Sequence, residues 1–92
     1  MTRIAHNEDS KRYELFVGDT LASLADYRVE GDRVVIFHTE TRDEFRGKGL
    51  AAKLVQWALD DIRARGQTVE PACWFVADFI EDHPEYRDLV AA

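Results

Sequence analysis

A short run of glycines and cations, Arg46-Gly47-Lys48-Gly49-Leu50-Ala51, has the composition of a phosphate-binding loop. It lies where an apolar segment with the pattern of a strand gives way to an amphipathic segment with the pattern of a helix. Glycine lets the backbone approach a ligand closely, and the first N–H groups of a helix point outward without partners in the helix. Because such groups attract anions, the sequence predicts a phosphate site at this junction.

Basic charge is concentrated around this loop, although the chain has a net charge of −6. The window from Arg42 to Lys53 holds two anions against four cations, which are Arg42, Arg46, Lys48 and Lys53. Each cation is a candidate for phosphate contact, with Arg46 and Lys48 preferred. The acidic remainder argues against general binding to nucleic acids or to anionic membranes, since both need a basic surface.

Strands must lead into this loop. The residue pattern predicts strands at 12–17, 22–29 and 33–39, with a turn at Gly18-Asp19 and a hairpin turn at Glu30-Gly31-Asp32. The segment Val34-Val35-Ile36-Phe37 is apolar on both faces. Such a strand is usually central in its sheet and covered on both sides.

A helix must follow the loop. Its apolar residues recur every four positions, at Leu50, Leu54, Ala58 and Ile62, which predicts one buried face and an end at Gly66. Residues 68–73 have the pattern of another strand, and a strand–helix–strand unit implies a right-handed crossover between parallel strands. Pro71 cannot donate a ladder hydrogen bond, so either the two strands separate there or the second is an edge strand that tolerates proline.

Side chains suited to catalysis follow the two parallel strands. The carboxyl ends of parallel strands meet at one edge of a sheet, where open α/β folds bind ligands. His38, Thr39, Glu40 and Cys73 are therefore predicted to gather in one crevice. Beyond it, Phe75, Phe79 and Ile80 predict a short helix that closes near His83-Pro84, followed by a last helical turn or two at 85–90. We assign Trp74, Phe75 and Tyr86 to the core and His6 to the surface. For an aromatic that follows Cys73, the alternative is a place in the lining of the crevice.

The length and composition of the chain indicate what class of protein it is. A chain of 92 residues, 46% of them apolar, predicts one compact domain spanning residues 1–92. The chain begins without the apolar core of a secretory signal, which predicts a cytoplasmic location. One cysteine cannot form an internal disulfide, and one cysteine with three scattered histidines does not match the ligand spacing of a zinc site, so no metal is expected.

The loop and three other segments together resemble a known family. Arg46-Gly47-Lys48-Gly49-Leu50-Ala51 fits the pattern Arg/Gln-x-x-Gly-x-Gly/Ala of the GNAT superfamily of N-acetyltransferases. His38-Thr39-Glu40, Cys73-Trp74-Phe75 and His83-Pro84-Glu85-Tyr86 occur at the intervals found in a subgroup of very small GNAT-like proteins. The resemblance covers roughly residues 12 to 90.

This resemblance implies a fold and a ligand. The expected fold is a minimal α/β (α+β) fold, with a mixed, mostly antiparallel sheet, a central splayed pair of parallel strands and a crossover helix. The expected co-substrate is acetyl-CoA, with its pyrophosphate on the loop backbone and its pantetheine arm between the splayed strands. The predicted cofactor-binding residues are Thr39, Arg46, Gly47, Lys48, Gly49, Leu50 and Ala51. In this interpretation Pro71 ends the pairing and opens the slot for the arm.

Acetyl transfer to an amine requires a base, an oxyanion donor and an acid for the departing thiolate. The candidate bases are Glu40 and His38, although His38 also suits a structural hydrogen bond and Glu40 a solvated loop position. Backbone N–H groups near residues 38–40 are candidates for the oxyanion donor. Cys73 is a nucleophile that takes the acetyl group, an acid that protonates the thiolate, or a small buried hydrophobe.

Three functions are therefore weighed. The first is an acetyl-CoA-dependent N-acetyltransferase acting on a small amine, a protein lysine or an N-terminus. The second is a non-catalytic acyl-CoA-binding regulatory module, and the third is an interaction domain without a cofactor. The sequence lacks the helices that follow the first strand in larger GNAT enzymes, and those helices shape the acceptor site. The acceptor is thus the least defined part of the prediction.

Overall fold

The computed structural model describes residues 1–91 and contains one five-stranded sheet in the order β1-β2-β3-β4-β5. The strands are β1 Thr2–Asn7, β2 Arg12–Val17, β3 Thr20–Glu30, β4 Arg33–Thr41 and β5 Thr68–Pro71. The helices are α1 Leu50–Ala64 and α2 Trp74–Asp82, with short 3-10 turns at Asp43–Phe45 and Pro84–Leu89. The strands and helices predicted from the sequence are present, and β3 and β4 are longer than predicted.

Helix α1 covers one face of the sheet. Its buried residues are Leu54, Val55, Ala58, Leu59 and Ile62, the apolar stripe predicted from the sequence. They share one core with inward-facing strand residues such as Leu15, Ala25 and Ile36. Residues that alternate with these point the other way. On β2 and β3 they include Arg12, whose Nε lies 2.9 Å from Asp26 Oδ1. This opposite face carries charged side chains and is called the polar face below.

The first strand was not predicted, because its sequence is largely polar. β1 pairs antiparallel with β2, and the register places Ile4 opposite Leu15 and His6 opposite Tyr13. Both partners are buried, so His6 faces the core. The His6 ring stacks on Tyr13 with centroids 4.2 Å apart, and its side chain is only 10% exposed. The prediction that His6 lies on the surface is therefore wrong.

Strands β4 and β5 form the predicted parallel pair. Their register runs from Arg33 opposite Thr68 to Ile36 opposite Pro71. β5 ends at Pro71, two residues earlier than predicted, and it is the last strand of the sheet order. The pair therefore occupies one end of the sheet and not its centre. Both interpretations of Pro71 hold, since β5 is an outer strand and pairing with β4 also stops there.

A bulge interrupts β4 at the same level. His38 pairs with Asp26 and Ile36 with Tyr27 on β3, which leaves Phe37 as the extra residue. Phe37 is 47% exposed, although its apolar segment was expected to be covered on both faces. A bulge bends a strand and redirects the side chains that follow it. The direction of β4 thus changes where β5 stops accompanying it.

The segment after β5 closes the core. Val76, Phe79 and Ile80 of α2 are buried, as is Tyr86 in the following 3-10 turn. Trp74 is 74% exposed at the start of α2, so its assignment to the core is wrong, and Phe75 is only partly buried. Trp74 precedes the stripe of α2 that meets the sheet. Of the two α-helices in residues 1–91, neither is both long and apolar enough to traverse a bilayer.

Candidate active site

The glycine loop has a backbone that requires glycine. Gly47 has φ +79° and Gly49 has φ +74°, both in the left-handed region that other residues rarely adopt. A Cβ atom added at either position would meet nothing within 4 Å. The two glycines are therefore needed for the path of the chain, and the space beside them is open to a ligand.

The first turn of α1 leaves its N–H groups free. Gly49 is the N-cap residue, no side chain caps the helix, and no acidic residue occupies its first turn. Lys53 makes the first intrahelical bond, donating its N–H to the Gly49 carbonyl at 3.2 Å. The N–H groups of Leu50, Ala51 and Ala52 precede that bond and have no acceptor in the helix. This arrangement suits an anion.

The four cations near the loop have different surroundings. Arg46 Nε lies 3.3 Å from the Thr41 carbonyl and 3.3 Å from Asp43 Oδ1, and Arg42 Nε donates to the Leu21 carbonyl at 2.7 Å. Lys53 Nζ instead donates to Thr2 Oγ1 at 3.0 Å, so it is directed toward β1. Lys48 forms no ion pair with any residue in the range 1–91. Because Lys53 is directed toward β1, it is the least well placed of the four for a phosphate at the loop.

A cleft of about 1140 Å³ joins this loop to the ends of β4 and β5. Its walls are the carboxyl end of β4, the chain from Arg42 to the first turn of α1, and the start of α2. The predicted site residues that line it are His38, Thr39, Glu40, Arg46, Gly47, Gly49, Leu50, Ala51 and Cys73. The predicted residue Lys48 belongs to the same loop but does not line the cleft.

Cys73 lines this cleft where α2 begins. It is 9% exposed, and its Sγ is 3.4 Å from Thr39 Oγ1 on β4. It is the N-cap residue of α2. Burial raises the pKa of the Cys73 thiol, but the Thr39 hydroxyl and the backbone amides of Phe75, Val76 and Thr39 together outweigh burial and bring the pKa below its ordinary value. The thiol makes no side-chain capping hydrogen bond to the start of α2.

His38 and Glu40 lie on the other face of β4. Thr39 pairs with the buried Ala25, whereas His38 pairs with Asp26 on the polar face. His38 Nε2 is 3.3 Å from Glu40 Oε1, and the side chains are 50% and 60% exposed. The burial that Glu40 was expected to need as a base is therefore missing. Both residues line the same cleft as Cys73, but within residues 1–91 the side-chain partner of the thiol is Thr39 and neither of these two.

A protein-family model described as GCN5-related N-acetyl-transferase matches residues 12–89. The chain belongs to this family. The GNAT resemblance seen in the glycine loop is confirmed. No group of three His, Cys, Asp or Glu side chains within residues 1–91 is arranged to hold a metal ion.

Solved GNAT structures share the fold. The solution structure of a GCN5-like protein from Staphylococcus aureus matches with a TM-score of 0.74 at 22% identity, covering 98% of this chain and 88% of that one. The ribosomal-protein-S18-alanine N-acetyltransferase from Escherichia coli matches with a TM-score of 0.60 at 20% identity, covering 63% of this chain and 38% of that one. The predicted fold class is confirmed.

Relatives of the GNAT chain carry the name Protein NATD1. The Bos taurus protein is 34% identical over 59 residues, which cover 63% of this chain and 52% of the relative. The Danio rerio protein is 25% identical over 95 residues, covering 97% of this chain and 86% of the relative. The match thus spans about half the length of the mammalian relative.

Two residues of the GNAT cleft were not predicted. The exposed aromatic Phe37 lines it, and Ala52 lines it at the start of α1. Phe37 is exposed because of the bulge, which a uniformly apolar segment does not reveal. Trp74 was assigned to the core, and lining of the slot was the alternative given for an aromatic after Cys73. That alternative agrees with the position of Trp74 in the wall of the cleft.

Proposed function

We propose that this chain binds acetyl-CoA in the cleft and transfers the acetyl group to an amine. One observation carries the proposal. The free amides at the start of α1 and the contact between Thr39 and Cys73 line the same cleft, at the point where the parallel pair ends. An anion site and a thiol are thereby joined by an opening between two strands. A ligand with a pyrophosphate at one end and a thioester at the other fits this combination.

The residues present fit coenzyme A. The amides of Leu50, Ala51 and Ala52 hold the pyrophosphate, and the side chains of Arg46 and Lys48 add positive charge. The opening between β4 beyond Ile36 and the start of α2 receives the pantetheine arm. Both glycines leave the space beside the loop clear, as the absence of any atom near an added Cβ indicates.

Cys73 is the proposed nucleophile in the cleft. Its surroundings favour the thiolate, which suits a nucleophile better than a proton donor. The thiolate attacks the thioester carbonyl, a new C–S bond forms, and coenzyme A leaves as a thiolate. The amine then attacks the acetyl-cysteine, the C–S bond breaks, and the Cys73 thiolate is restored. Direct attack of the amine on the thioester is the alternative, with Cys73 protonating the leaving thiolate.

The amine approaches from the polar face of β4. His38 and Glu40 are exposed there and accept the proton that the amine loses. β4 beyond Ile36 has no partner on its β5 side, so its backbone N–H groups are available to the oxyanion. An exposed approach suits an amine on a flexible chain, such as a protein N-terminus or a lysine.

The exposure of His38 and Glu40 also supports a second function. His38 and Glu40 contact each other and not Cys73, and both are half exposed or more. A chain that binds acyl-CoA without turnover, as a regulatory module, needs no positioned base. The cofactor loop is common to both functions, and turnover separates them.

Three measurements test the proposal. Calorimetry with coenzyme A and acetyl-CoA shows whether the cleft binds the co-substrate, and release of free thiol with a panel of amines shows turnover. Binding with release supports the enzyme, and binding without release for any amine supports the module. Intact mass after rapid mixing with acetyl-CoA shows an acetyl adduct that is absent in Cys73→Ser if transfer is covalent. Absence of binding at saturating ligand rejects both functions.

A further inference from the structure

Thr39 makes the last direct link across the opening between β4 and the segment that follows β5. The backbone ladder ends at Ile36 and Pro71, and the Ala72 N–H still reaches the Ile36 carbonyl at 3.0 Å. Further along, the contact of Thr39 Oγ1 with Cys73 Sγ at 3.4 Å joins the two walls. This distance is within reach of a hydrogen bond to sulfur.

The position of Thr39 is fixed by the sheet. It pairs with the buried Ala25, so its side chain points to the same face as the core. The bulge at Phe37 sets this orientation, since without it the alternation along β4 would turn Thr39 to the polar face. The hydroxyl therefore reaches Cys73 because of a specific irregularity in the strand.

We infer that Thr39 is a positioning residue for Cys73. The Thr39 hydroxyl holds the Cys73 sulfur at the opening and donates a hydrogen bond to the thiolate. The catalytic meaning of this role rests on the proposed function, whereas the contact itself does not. A hydroxyl can donate to a thiolate or accept from a thiol, and the surroundings decide between these states. Hydrogen bonding of this kind lowers the pKa of Cys73 against the effect of burial.

Charged side chains do not account for this effect. Thr39 and the backbone amides of Phe75 and Val76 are the groups in residues 1–91 that favour the thiolate. His38 and Glu40 point to the opposite face of β4. The remaining titratable residues of the cleft belong to the chain on the loop side and are Arg42, Asp43, Glu44 and Arg46. Thr39 is thus the one side chain in this part of the molecule whose removal acts directly on the sulfur.

The test compares the Cys73 pKa in three variants of the free protein. Thr39→Val removes the hydroxyl and keeps the shape, and Thr39→Ser keeps the hydroxyl. Thr41→Val is the matched control, because its hydroxyl lies on the same strand but contacts Ser23 at 3.0 Å. The pKa is read from the pH dependence of thiolate absorbance and of alkylation by iodoacetamide. Thr39→Ala repeats the deletion if the valine variant melts at a much lower temperature than its parent.

We expect Thr39→Val to raise the Cys73 pKa by roughly one unit and to slow alkylation near neutral pH several-fold. Thr39→Ser should restore the parent profile, and Thr41→Val should not move it. An unchanged pKa in Thr39→Val would show that the hydroxyl does not act on the sulfur, and a lowered pKa would show that it stabilises the neutral thiol. Either result overturns the inference. These measurements use no acetyl-CoA, so their outcome is independent of whether the proposed function holds.

Discussion

The N–H of Ala72 donates to the carbonyl of Ile36 at 3.0 Å, one residue beyond the last ladder pair of the parallel strands. This bond marks the point where β4 and the following chain separate. The cleft begins there, with Thr39 on one wall and Cys73 on the other. The slot therefore forms where three features coincide: Pro71, the end of β5 and the bulge at Phe37 in β4.

A negative side chain in the loop should abolish coenzyme A binding. Gly49→Glu places a carboxylate beside the free amides of α1, where it repels the pyrophosphate and competes for the same donors. Since φ at Gly49 is +74°, the substitution also costs about 1–2 kcal/mol of folding free energy. Calorimetry checks the binding, and thermal melting checks the fold.

Gly31→Glu is the matched control for that substitution. Gly31 has φ +64° in the turn that precedes β4, at the end of the strand remote from the cleft, and an added Cβ meets nothing within 4 Å. The Gly31→Glu substitution imposes backbone strain similar to that of Gly49→Glu and adds the same charge. The control should lose comparable stability and keep its affinity for coenzyme A. Equal losses of affinity in both variants would mean that the effect comes from strain or charge and not from the loop.

Trp74 should report the entry of a ligand. Its indole is 74% exposed on the wall of the cleft, so ligand binding changes its surroundings and its fluorescence emission. Trp57, the other tryptophan, is 39% exposed on α1 and does not line the cleft. Titration with coenzyme A should change the emission of the parent and of Trp57→Phe but not of Trp74→Phe. A signal that survives in Trp74→Phe and disappears in Trp57→Phe would place the ligand elsewhere.

His6 should make the stability of the fold depend on pH. Burial lowers the pKa of His6, against the opposing effect of Asp61, whose Oδ2 is 3.3 Å from Nδ1. Its Nε2 contacts the Tyr27 hydroxyl at 2.5 Å, whereas Nδ1 has no partner with hydrogen-bond geometry in residues 1–91. The folded state thus binds fewer protons than the unfolded state. The contribution of the neutral, buried His6 ring to the free energy of unfolding is therefore complete above a pH of about 6.5. It is lost as the pH falls through the lower pKa that His6 has in the folded state.

Denaturant titrations of the parent and His6→Gln check this prediction. Glutamine stays neutral, so the parent should be more stable by about 1–2 kcal/mol in mildly alkaline buffer, where the ring stacking and hydrogen bond are intact. The difference should shrink in acid. A difference that is constant with pH would show that the pair with Asp61 offsets burial, and one that widens in acid would show that the pair outweighs burial. Either result would contradict the lowered pKa of His6.

The tyrosines should resist ionisation while the protein is folded. Burial and a hydrogen bond to Asp60 raise the pKa of Tyr86 to about 12, and burial with a bond to Asp61 raises the pKa of Tyr13 as well. Burial also raises the pKa of Tyr27. Their stabilising contribution is complete below a pH of about 10 and is lost as the pH rises through the folded-state values. Phenolate absorbance should therefore appear together with alkaline unfolding, and early ionisation of a folded protein would contradict the buried network.

Much of the fold could be predicted from the sequence because apolar periodicity and turn residues are local signals. The stripe from Leu54 to Ile62 and the hairpin at Gly31 are of this kind. β1 could not be predicted in the same way. His6 is inward-facing but polar, and its position depends on Tyr13, Tyr27 and Asp61, which are distant in the chain. Tertiary packing there overrides the local pattern.

The residues of the candidate site were predicted from the sequence, but the directions of their side chains were not. Residues at the ends of neighbouring parallel strands must lie together, which placed Thr39 and Cys73 in one crevice. The bulge at Phe37 then decides which face of β4 each residue occupies, and it directs Thr39 toward the thiol and His38 away from it. A bulge is a register relationship between two strands, so one strand's sequence does not reveal it.

The amides at the start of α1 are proposed to hold the pyrophosphate of acetyl-CoA. Backbone amide chemical shifts of the isotope-labelled protein, followed during titration with coenzyme A, report on each of these groups. We expect the largest shifts at the amides from Gly47 to Ala52, accompanied by shifts at Thr39 and Cys73. Saturable binding that leaves the amides of Leu50, Ala51 and Ala52 unmoved, or no binding at all, would show that the pyrophosphate is not held there.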